Sequence, residues 1–127
     1  MPLFNWYNQY SIGNDEIDRQ HKKLFEIFNR LFYDCMSSDR NKVSTSVIDE
    51  LIFYSEYHFE TEENHMRNID YKFIEKHIED HNDFRNHILE YKQKKSITEH
   101  DICHDLILYL NKYIKNHMLE EDKKLAL

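Results

Sequence analysis

Several histidines and carboxylates in this chain stand at spacings that could bring them together around metal ions. The set consists of five histidines and two carboxylates: His21, His58, Glu62, His77, His81, His117 and Asp122. Neutral imidazole suits iron, copper and zinc, whereas carboxylates can bridge two highly charged cations. A single zinc ion takes roughly three or four protein ligands. A set of this size therefore favours two metal ions, and iron fits it better than copper or calcium.

Helical spacing supports parts of this set directly. His77 and His81 are four residues apart, as are His58 and Glu62, so each pair would lie on one helix face and could reach one ion. The same spacing argument does not identify Asp122 as a ligand. An ideal α-helix rotates a residue five positions after His117 by about 140°, whereas Glu121 would share the face of that histidine. Spacing alone therefore favours Glu121 over Asp122.

Apolar stripes at helical spacing predict four helices that position these residues. They cover about residues 17–36, 43–66 and 71–92, and then run from an N-cap at Ser96 or Thr98 to about residue 121. The segments SSDRN and RNID interrupt the pattern, and such short connections favour an antiparallel up-down-up-down four-helix bundle. In that topology the starts of the first and third helices and the ends of the second and fourth lie together. All candidate ligands would then lie at one end of the bundle.

The composition indicates a single all-α domain. The 127 residues include one glycine and one proline, which leaves little to form tight hairpins. We expect one domain over residues 1–127, with an N-terminal arm over 1–13 and the four-helix bundle over 14–127. The arm carries Trp6, Tyr7 and Tyr10, which we expect to pack across the bundle without binding metal.

Charge and hydropathy exclude several classes of partner and location. The formal net charge is −7, with acidic and basic residues interspersed, which argues against nucleic acid or an anionic membrane as a partner. No apolar run approaches the ~20 residues of a membrane helix, and the N-terminus does not resemble a signal peptide. Cys35 and Cys103 form no CxxC motif and are interpreted as free thiols in a reducing compartment. The predicted location is the cytoplasm.

The other four histidines are poorer candidates for metal ligands. His100 and His104 are also four residues apart, but they precede His117 by far enough to lie at the opposite end of the bundle. His87 is on a different face from His81 and is predicted to be solvated. His65 forms a Glu-x-x-His motif with Glu62, as in ferritin-like di-iron helices, but the chain has no second copy.

Four stretches of the sequence carry a resemblance to a known family. They are SIGNDEIDRQHKKLF around His21, HFETEENHM from His58, HIEDH from His77 and HMLEED from His117. On these motifs the chain resembles the single-domain bacterial hemerythrins of the hemerythrin/myohemerythrin family along essentially its whole length. The resemblance implies a non-haem centre of two iron ions joined by an oxo or hydroxo bridge.

The resemblance also implies how the ligands divide. One iron would be held by His77, His81 and His117, and the other by His21 and His58 alone. Glu62 and Asp122 would bridge both irons, because the family has an aspartate five residues after the last histidine; this favours Asp122 over Glu121. The second iron would keep an open position, where dioxygen would bind reversibly.

The resemblance and the sequence neighbours of the ligands together suggest a function. Leu24, Phe59, Tyr113 and Ile114 would line a dry dioxygen pocket, although ordinary core packing explains them equally well. The family often has tryptophan at the position of Tyr113. We expect a protein that carries, stores or senses dioxygen and is not an enzyme. The alternative is a di-iron enzyme with peroxidase, oxidase or nitric-oxide-handling activity, whose ligands would include nitric oxide or peroxide; no protein partner is indicated.

Overall fold

A computed structural model of the chain describes residues 4–36, 45–93 and 99–126. Its elements are four α-helices, a π-helical segment and two 3₁₀ turns. The helices are α1 (Asp15–Met36), α2 (Thr45–Asn68), α3 (Ile74–Gln93) and α4 (Glu99–Tyr113), the π-segment is Ile114–Glu121, and the turns are Asn8–Tyr10 and Asp122–Leu125. These ranges contain no strand, and the predicted all-α class is confirmed. The break predicted at SSDRN and the N-cap predicted at Ser96 or Thr98 lie outside the described residues.

The first helix begins at a sequence-encoded cap. The side chain of Asn14 accepts a hydrogen bond from the backbone N–H of Ile17 at 3.1 Å, as an N-cap residue does. Asp15, Glu16 and Asp18 place negative charge in the first turn, where the helix dipole favours it. Gly13, with φ of +79°, reverses the chain just before this cap. The cap therefore fixes the start of α1, which carries His21 in its second turn.

The connection from α2 to α3 is a helix C-cap of the Schellman type. Asp70 adopts a positive φ of 51°, the N–H of Tyr71 bonds to the Met66 carbonyl at 2.9 Å, and the N–H of Asp70 bonds to the Arg67 carbonyl at 3.2 Å. This turn lies in the predicted break at RNID. It reverses the chain within a few residues, so the end of α2 lies beside the start of α3.

The helices pack as an antiparallel four-helix bundle around two groups of buried side chains. α1 contacts α2 and α4, and α2 contacts α3. α3 meets the end of α4 through Phe84 and Tyr113, whose ring centroids are 4.5 Å apart. The larger core fills the middle of the bundle, and a smaller one closes one end; the smaller one comprises Ile12, Ile17, Met66 and Leu125. No helix in the described ranges is long and apolar enough to cross a membrane.

The N-terminal arm packs along α1. The N–H of Phe4 donates to the side-chain oxygen of Asn29 at 3.0 Å, and the Asn29 amide donates back to the Phe4 carbonyl at 2.8 Å. Trp6 and Tyr10 contact Phe25, with ring centroids 5.8 and 6.0 Å away. Trp6 and Tyr10 thus pack against the bundle as expected, whereas Tyr7 is 55% exposed and stacks edge-on against Tyr10. None of the described arm residues belongs to the cluster of potential metal ligands.

The interpretation of the cysteines as free thiols is wrong for Cys35. This residue, near the end of α1, is disulfide-bonded. Composition gave no warning of this bond, because two cysteines without a motif carry no information on pairing. The other cysteine of the sequence, Cys103, has a side chain outside the described part of the structure. The disulfide removes the argument for a reducing compartment that rested on free thiols.

Candidate metal centre

All seven predicted ligands come together, and all are buried. Their relative exposures are 1% for His21, 2% for His58, 0% for Glu62, 3% for His77, 0% for His81, 6% for His117 and 1% for Asp122. The early turns of α1 and α3, the late turns of α2, the π-segment and the turn that follows it supply them. This is the arrangement that an antiparallel bundle imposes on those sequence positions.

The seven residues form two overlapping sets of potential ligand atoms. One set contains His77, His81 and His117 together with both carboxylates, and the other contains His21 and His58 together with the same carboxylates. Within each set the ligand atoms all lie within 4.8 Å of one another. Two cation positions that share two carboxylates are therefore compatible with the geometry.

The two oxygens of Glu62 divide between these sets. Oε1 lies 2.6 Å from His77 Nε2 and 2.9 Å from His81 Nε2. Oε2 lies 3.1 Å from His58 Nε2 and 3.5 Å from His21 Nε2. One carboxylate oxygen thus faces the three-histidine set and the other faces the two-histidine set, which is how a bridging carboxylate is oriented.

Asp122 divides its oxygens in the same way. Oδ1 lies 2.8 Å from His77 Nε2 and 3.0 Å from His117 Nε2, whereas Oδ2 lies 3.1 Å from His21 Nε2. Glu121, which α-helical spacing favoured, is instead half-exposed and pairs with Lys124 at 3.2 Å. Of the two carboxylates, Asp122 is therefore the one in the cluster.

The π-helical segment explains why Asp122 lies on the face of His117. Over Ile114–Glu121 the backbone forms i→i+5 hydrogen bonds, and the N–H of Asp122 bonds to the carbonyl of His117. In an α-helix a spacing of five residues would separate the two side chains by about 140°. The wider π-turn holds more residues per turn than an α-helix, so a residue five positions after His117 lies closer to the face of that histidine. The five-residue spacing is therefore matched to the local backbone.

The buried carboxylates and imidazoles of the cluster shift one another's pKa values. Burial lowers the pKa of His21 and of His77, but the adjacent carboxylates of Asp122 and Glu62 outweigh it and raise the pKa values to about 9 and about 10. Burial raises the pKa of Glu62, yet the neighbouring imidazoles, His58 first, bring it well below its usual range. Protons on His21 and His77 balance the buried carboxylates, and a cation could replace those protons.

Several ligand atoms in the cluster have no hydrogen-bond partner. Buried and unpartnered are His21 Nε2, Glu62 Oε2, His117 Nε2 and Asp122 Oδ1. They lie within 2.8–3.5 Å of a carboxylate oxygen or an imidazole nitrogen, but without the alignment of a hydrogen bond. Buried polar atoms without partners are uncommon and costly in proteins. Nitrogen and oxygen atoms that converge in this way fit a metal cation, so the residues present are compatible with the proposed ions.

Gln20, which spacing did not single out, orients His58. Its side-chain oxygen lies 2.7 Å from His58 Nδ1, and its amide nitrogen donates to Thr61 Oγ1 at 3.1 Å, which fixes the orientation of the amide. An amide oxygen can only accept, so Nδ1 carries the proton. Burial lowers the pKa of His58, which keeps the ring neutral. Its Nε2 therefore presents a lone pair to the centre.

Glu63 orients His81 from the other side of the bundle. Its carboxylate accepts from His81 Nδ1 at 3.0 Å, and that hydrogen bond lowers the pKa of Glu63. Arg85 lies 3.6 Å from the same carboxylate and covers the ring of Phe59 at 4.9 Å. Phe59 in turn stacks on His81, with centroids 3.9 Å apart. The ring of His81 is thus fixed by a hydrogen bond at one edge and by an aromatic face.

Two of the four residues predicted to line a pocket contact candidate ligands directly: Phe59 stacks on His81 and Tyr113 on His117. Leu24, Phe59 and Ile114 are buried, at 0%, 1% and 0% exposure. Tyr113 stacks on His117 with centroids 4.9 Å apart and planes 16° apart. All four belong to or pack against the main core, so the packing explanation and the pocket explanation both remain consistent with their positions.

The histidines that were rejected as ligands lie outside both sets. His65 contacts the Leu125 carbonyl at 3.2 Å, and His87 is half-buried and stacks on Tyr109 at 3.7 Å. His87 was expected to be solvated, so its ring contact is a departure from that prediction. His104 is exposed, and the side chain of His100 lies outside the described residues.

Three contacts beside the ligands were missed by the sequence argument. They are made by Gln20, Glu63 and Asp80, the last with an Oδ2 atom 3.7 Å from His117 Nδ1. Each is adjacent in sequence to a candidate ligand. Residues adjacent in a helix point about 100° apart, so spacing argued against a shared role. The sequence feature that could have identified them is a polar residue next to a candidate ligand. Such a residue points toward the adjacent helix and can form a hydrogen bond with a histidine there.

Comparison with known proteins agrees with the motifs and the geometry. Residues 12–126 match the Hemerythrin family, described as hemerythrin HHE cation binding domain. The bacteriohemerythrin of Clostridium acetobutylicum is 30% identical over 127 residues, covering 96% of this chain and 98% of that protein. The bacteriohemerythrin of Stenotrophomonas maltophilia is 33% identical over 126 residues, covering 99% and 81%.

Similarity extends to a eukaryotic relative and to solved structures. A hemerythrin-like protein of Naegleria gruberi is 29% identical over 121 residues, covering 95% of this chain and 89% of that protein. A crystal structure of a hemerythrin mutant superposes with a TM-score of 0.80 at 23% identity, covering 99% of this chain and 96% of the other, which supports the fold. Because the family match spans nearly the whole chain and includes every candidate ligand, the chain belongs to the hemerythrin family and contains its cation-binding domain.

Proposed function

We propose that this protein binds dioxygen reversibly at two iron ions. One observation carries the proposal: two buried sets of ligand atoms share only Glu62 and Asp122 and otherwise use different histidines. Membership of the hemerythrin family supports iron as the metal. Carriage, storage and sensing of dioxygen would all use the same binding step.

The proposed assignment gives the two irons unequal numbers of ligands. His77, His81 and His117 would bind one iron, and His21 and His58 the other, with both carboxylates shared. The second position has one histidine fewer, which leaves room for a small exogenous ligand. Iron would supply the electrons and the binding position for dioxygen.

The surrounding residues would keep this centre dry and fixed. Gln20 and Glu63 hold the rings of His58 and His81 through their Nδ1 atoms, so that the Nε2 atoms face the centre. Leu24, Phe59 and Ile114 are nearly inaccessible to solvent and would exclude water from the ligand position. Excluding water favours reversible binding, because water promotes loss of reduced oxygen species and leaves the metal oxidised.

Binding is a better proposal than catalysis by the same centre. Leu24, Phe59 and Ile114 offer no group that could donate a proton to a substrate. The alternative of a peroxidase, oxidase or nitric-oxide-handling enzyme is favoured by one observation, the buried hydroxyl of Tyr113 beside His117. A reversible oxygen cycle distinguishes the two functions.

The test uses the full chain loaded with iron. The protein is reduced without oxygen, exposed to air and then returned to argon while its absorption spectrum is recorded. Reversible binding predicts a charge-transfer band that appears with oxygen and disappears without it over repeated cycles. A single irreversible oxidation, with no such band, would contradict the proposal and favour an enzyme.

The ligand assignment has its own test. His77→Ala removes a histidine of the three-histidine set, so the iron content should fall from about two ions per chain to a small fraction of that. His104→Ala is the matched control, because this histidine is exposed and lies outside both sets. Equal iron content in the two variants, measured by elemental analysis, would refute the assignment.

A further inference from the structure

A surface groove between α3 and the end of α4 reaches one of the candidate metal ligands. The groove has a volume of about 430 Å³, and His87, Tyr109, Tyr113 and His117 are part of its lining. Pockets that bind small molecules typically have volumes of roughly 300–1,000 Å³. The groove therefore has the size of a small-molecule site, and the proposed binding of dioxygen does not use it.

Aromatic rings form much of this lining. His87 and Tyr109 stack with ring centroids 3.7 Å apart and planes 16° apart, and Tyr113 and His117 stack with centroids 4.9 Å apart and planes 16° apart. Behind the groove, Phe84 joins the two stacks, with its centroid 6.0 Å from Tyr109 and 4.5 Å from Tyr113. His87, Tyr109 and Tyr113 are half-buried, so part of each ring remains accessible. Such surfaces bind planar aromatic molecules by stacking.

The charged groups of the lining favour a cation over an anion. The carboxylates are those of Asp80, Asp83 and Glu121, and one ammonium group, that of Lys112, faces them. Asp80 and Glu121 pair with lysines outside the lining, whereas Asp83 forms no ion pair with the described residues. Aromatic rings also attract cations over their faces. The net charge of −7 on the whole chain acts in the same direction.

A ligand in this groove would lie against a ring that binds iron in the proposed assignment. His117 belongs to the three-histidine set, is 6% exposed and lines the groove. Electrons pass more readily through contacting aromatic rings than through saturated side chains, because delocalised orbitals lower the barrier to transfer. A molecule seated here could therefore exchange electrons with the centre without displacing a metal ligand or entering the dioxygen position.

We propose that the groove between α3 and α4 binds a planar, fused-ring electron carrier of the N-alkylphenazinium class, which re-reduces the centre after loss of reduced oxygen has left it oxidised. The inference rests on the proposed function, since reversible dioxygen binding requires ferrous ions. The oxidised carrier is a cation, and the reduced carrier is neutral and has an N–H bond. In the step this N–H bond breaks, its proton goes to water, and its two electrons reduce two Fe(III) ions to Fe(II).

The binding site is tested in the metal-free protein by calorimetric titration with the N-methylphenazinium cation. Tyr109→Leu removes a stacking ring and should weaken binding about threefold to tenfold, whereas Tyr109→Phe should bind as the wild type does. His87→Ala removes the other ring of the same stack, on the other helix, and should weaken binding as well. Phe53→Leu is the matched control, because this ring is 78% exposed on α2 and is not part of the groove.

The charge preference has a separate test in the same titration. Asp83→Asn should weaken binding of the cation several-fold while leaving the rings in place. Flavin mononucleotide is also planar but carries a phosphate, so it should bind more weakly than N-methylphenazinium. Tighter binding of flavin mononucleotide would overturn the proposed ligand class.

Electron transfer is measured by mixing the oxidised, iron-loaded protein with reduced N-methylphenazinium under argon. The reduction rate should level off at high carrier concentration, because a complex forms first, and Tyr109→Leu should need several times more carrier to reach half of the maximal rate. Equal affinity of Tyr109→Leu, His87→Ala and Phe53→Leu for the cation would overturn the inference, as would a rate that rises linearly with carrier and is the same in all three. Failure of the wild type to hold iron would overturn the proposed function, and the metal-free titration would still decide whether the groove binds the carrier.

Discussion

Three histidines of the centre have contacts at both nitrogens of the imidazole ring. Their Nε2 atoms face the shared carboxylates, and the Nδ1 atoms of three rings face polar side chains of neighbouring helices: Gln20, Glu63 and Asp80. A metal ligand needs its other ring nitrogen protonated and held, because this fixes the tautomer and the direction of the lone pair. The five histidines and Glu62 could be predicted from residue type and helical spacing, whereas Asp122 followed only from the family resemblance. The contacts that orient them could not, because each depends on which residue of the adjacent helix lies opposite.

Gln20 is the sharpest test of this orienting role. Gln20→Ala removes the acceptor for His58 Nδ1, so the two-histidine position should lose metal affinity by roughly 10- to 100-fold. The three-histidine position should be affected less, and chelator competition should then release one iron per chain faster than the other. Gln9→Ala is the control, because Gln9 is exposed and contributes only its backbone carbonyl to the described contacts. Identical release curves for the two variants would refute an orienting role for Gln20.

Helical stripes in the sequence predicted the elements well, and their bounds differ from the structure by a few residues at the ends that are described. The π-segment was not predicted, because the sequence of Ile114–Glu121 has the composition of an ordinary helix. Because the π-segment was not predicted, the spacing argument chose the wrong carboxylate. α-Helical geometry favoured Glu121, the family resemblance favoured Asp122, and only the i→i+5 hydrogen bond to the His117 carbonyl explains the second choice physically.

A pair of neighbouring substitutions tests this role of the π-segment. Asp122→Asn keeps the shape of the side chain but removes the charge and one acceptor oxygen, so both irons should be lost or strongly weakened. Glu121→Gln makes the same chemical change one residue earlier, on a side chain that pairs with Lys124, and should retain wild-type iron content. Iron per chain, measured after gel filtration, separates the outcomes. A larger loss in Glu121→Gln would mean that the chain there is α-helical in solution.

At the scale of the whole molecule, the metal centre lies between two cores. The main core fills the bundle on one side, and the smaller cluster of Ile12, Ile17, Met66 and Leu125 closes the end on the other. Sequence patterns predicted the first, because it follows the helical stripes. The second joins the arm, two helices and the C-terminal turn, so it depends on long-range contacts that no local pattern encodes. The disulfide bond of Cys35 was also not predicted, and the composition argument against it was wrong.

The C-terminal turn holds this end closed. Leu125 is fully buried, and its carbonyl lies 3.2 Å from His65 Nε2. The ammonium group of Lys123 donates to the carbonyls of Gln9 and Ser11, both at 2.7 Å, which ties the turn to the N-terminal arm. Since Asp122 lies on the same turn, loosening the closed end should both admit water and disturb a shared carboxylate.

Leu125→Ala should therefore act on stability and on metal retention together. Removing a fully buried leucine side chain typically costs roughly 2–5 kcal/mol in the free energy of unfolding, and the chelator should then extract iron several times faster than from the wild type. Leu89→Ala makes the same substitution on α3 at a residue that is 43% exposed, and should change both quantities little. Denaturant unfolding and chelation kinetics measure the two effects. If Leu125→Ala is destabilised but releases iron at the wild-type rate, the closed end supports the fold without protecting the centre.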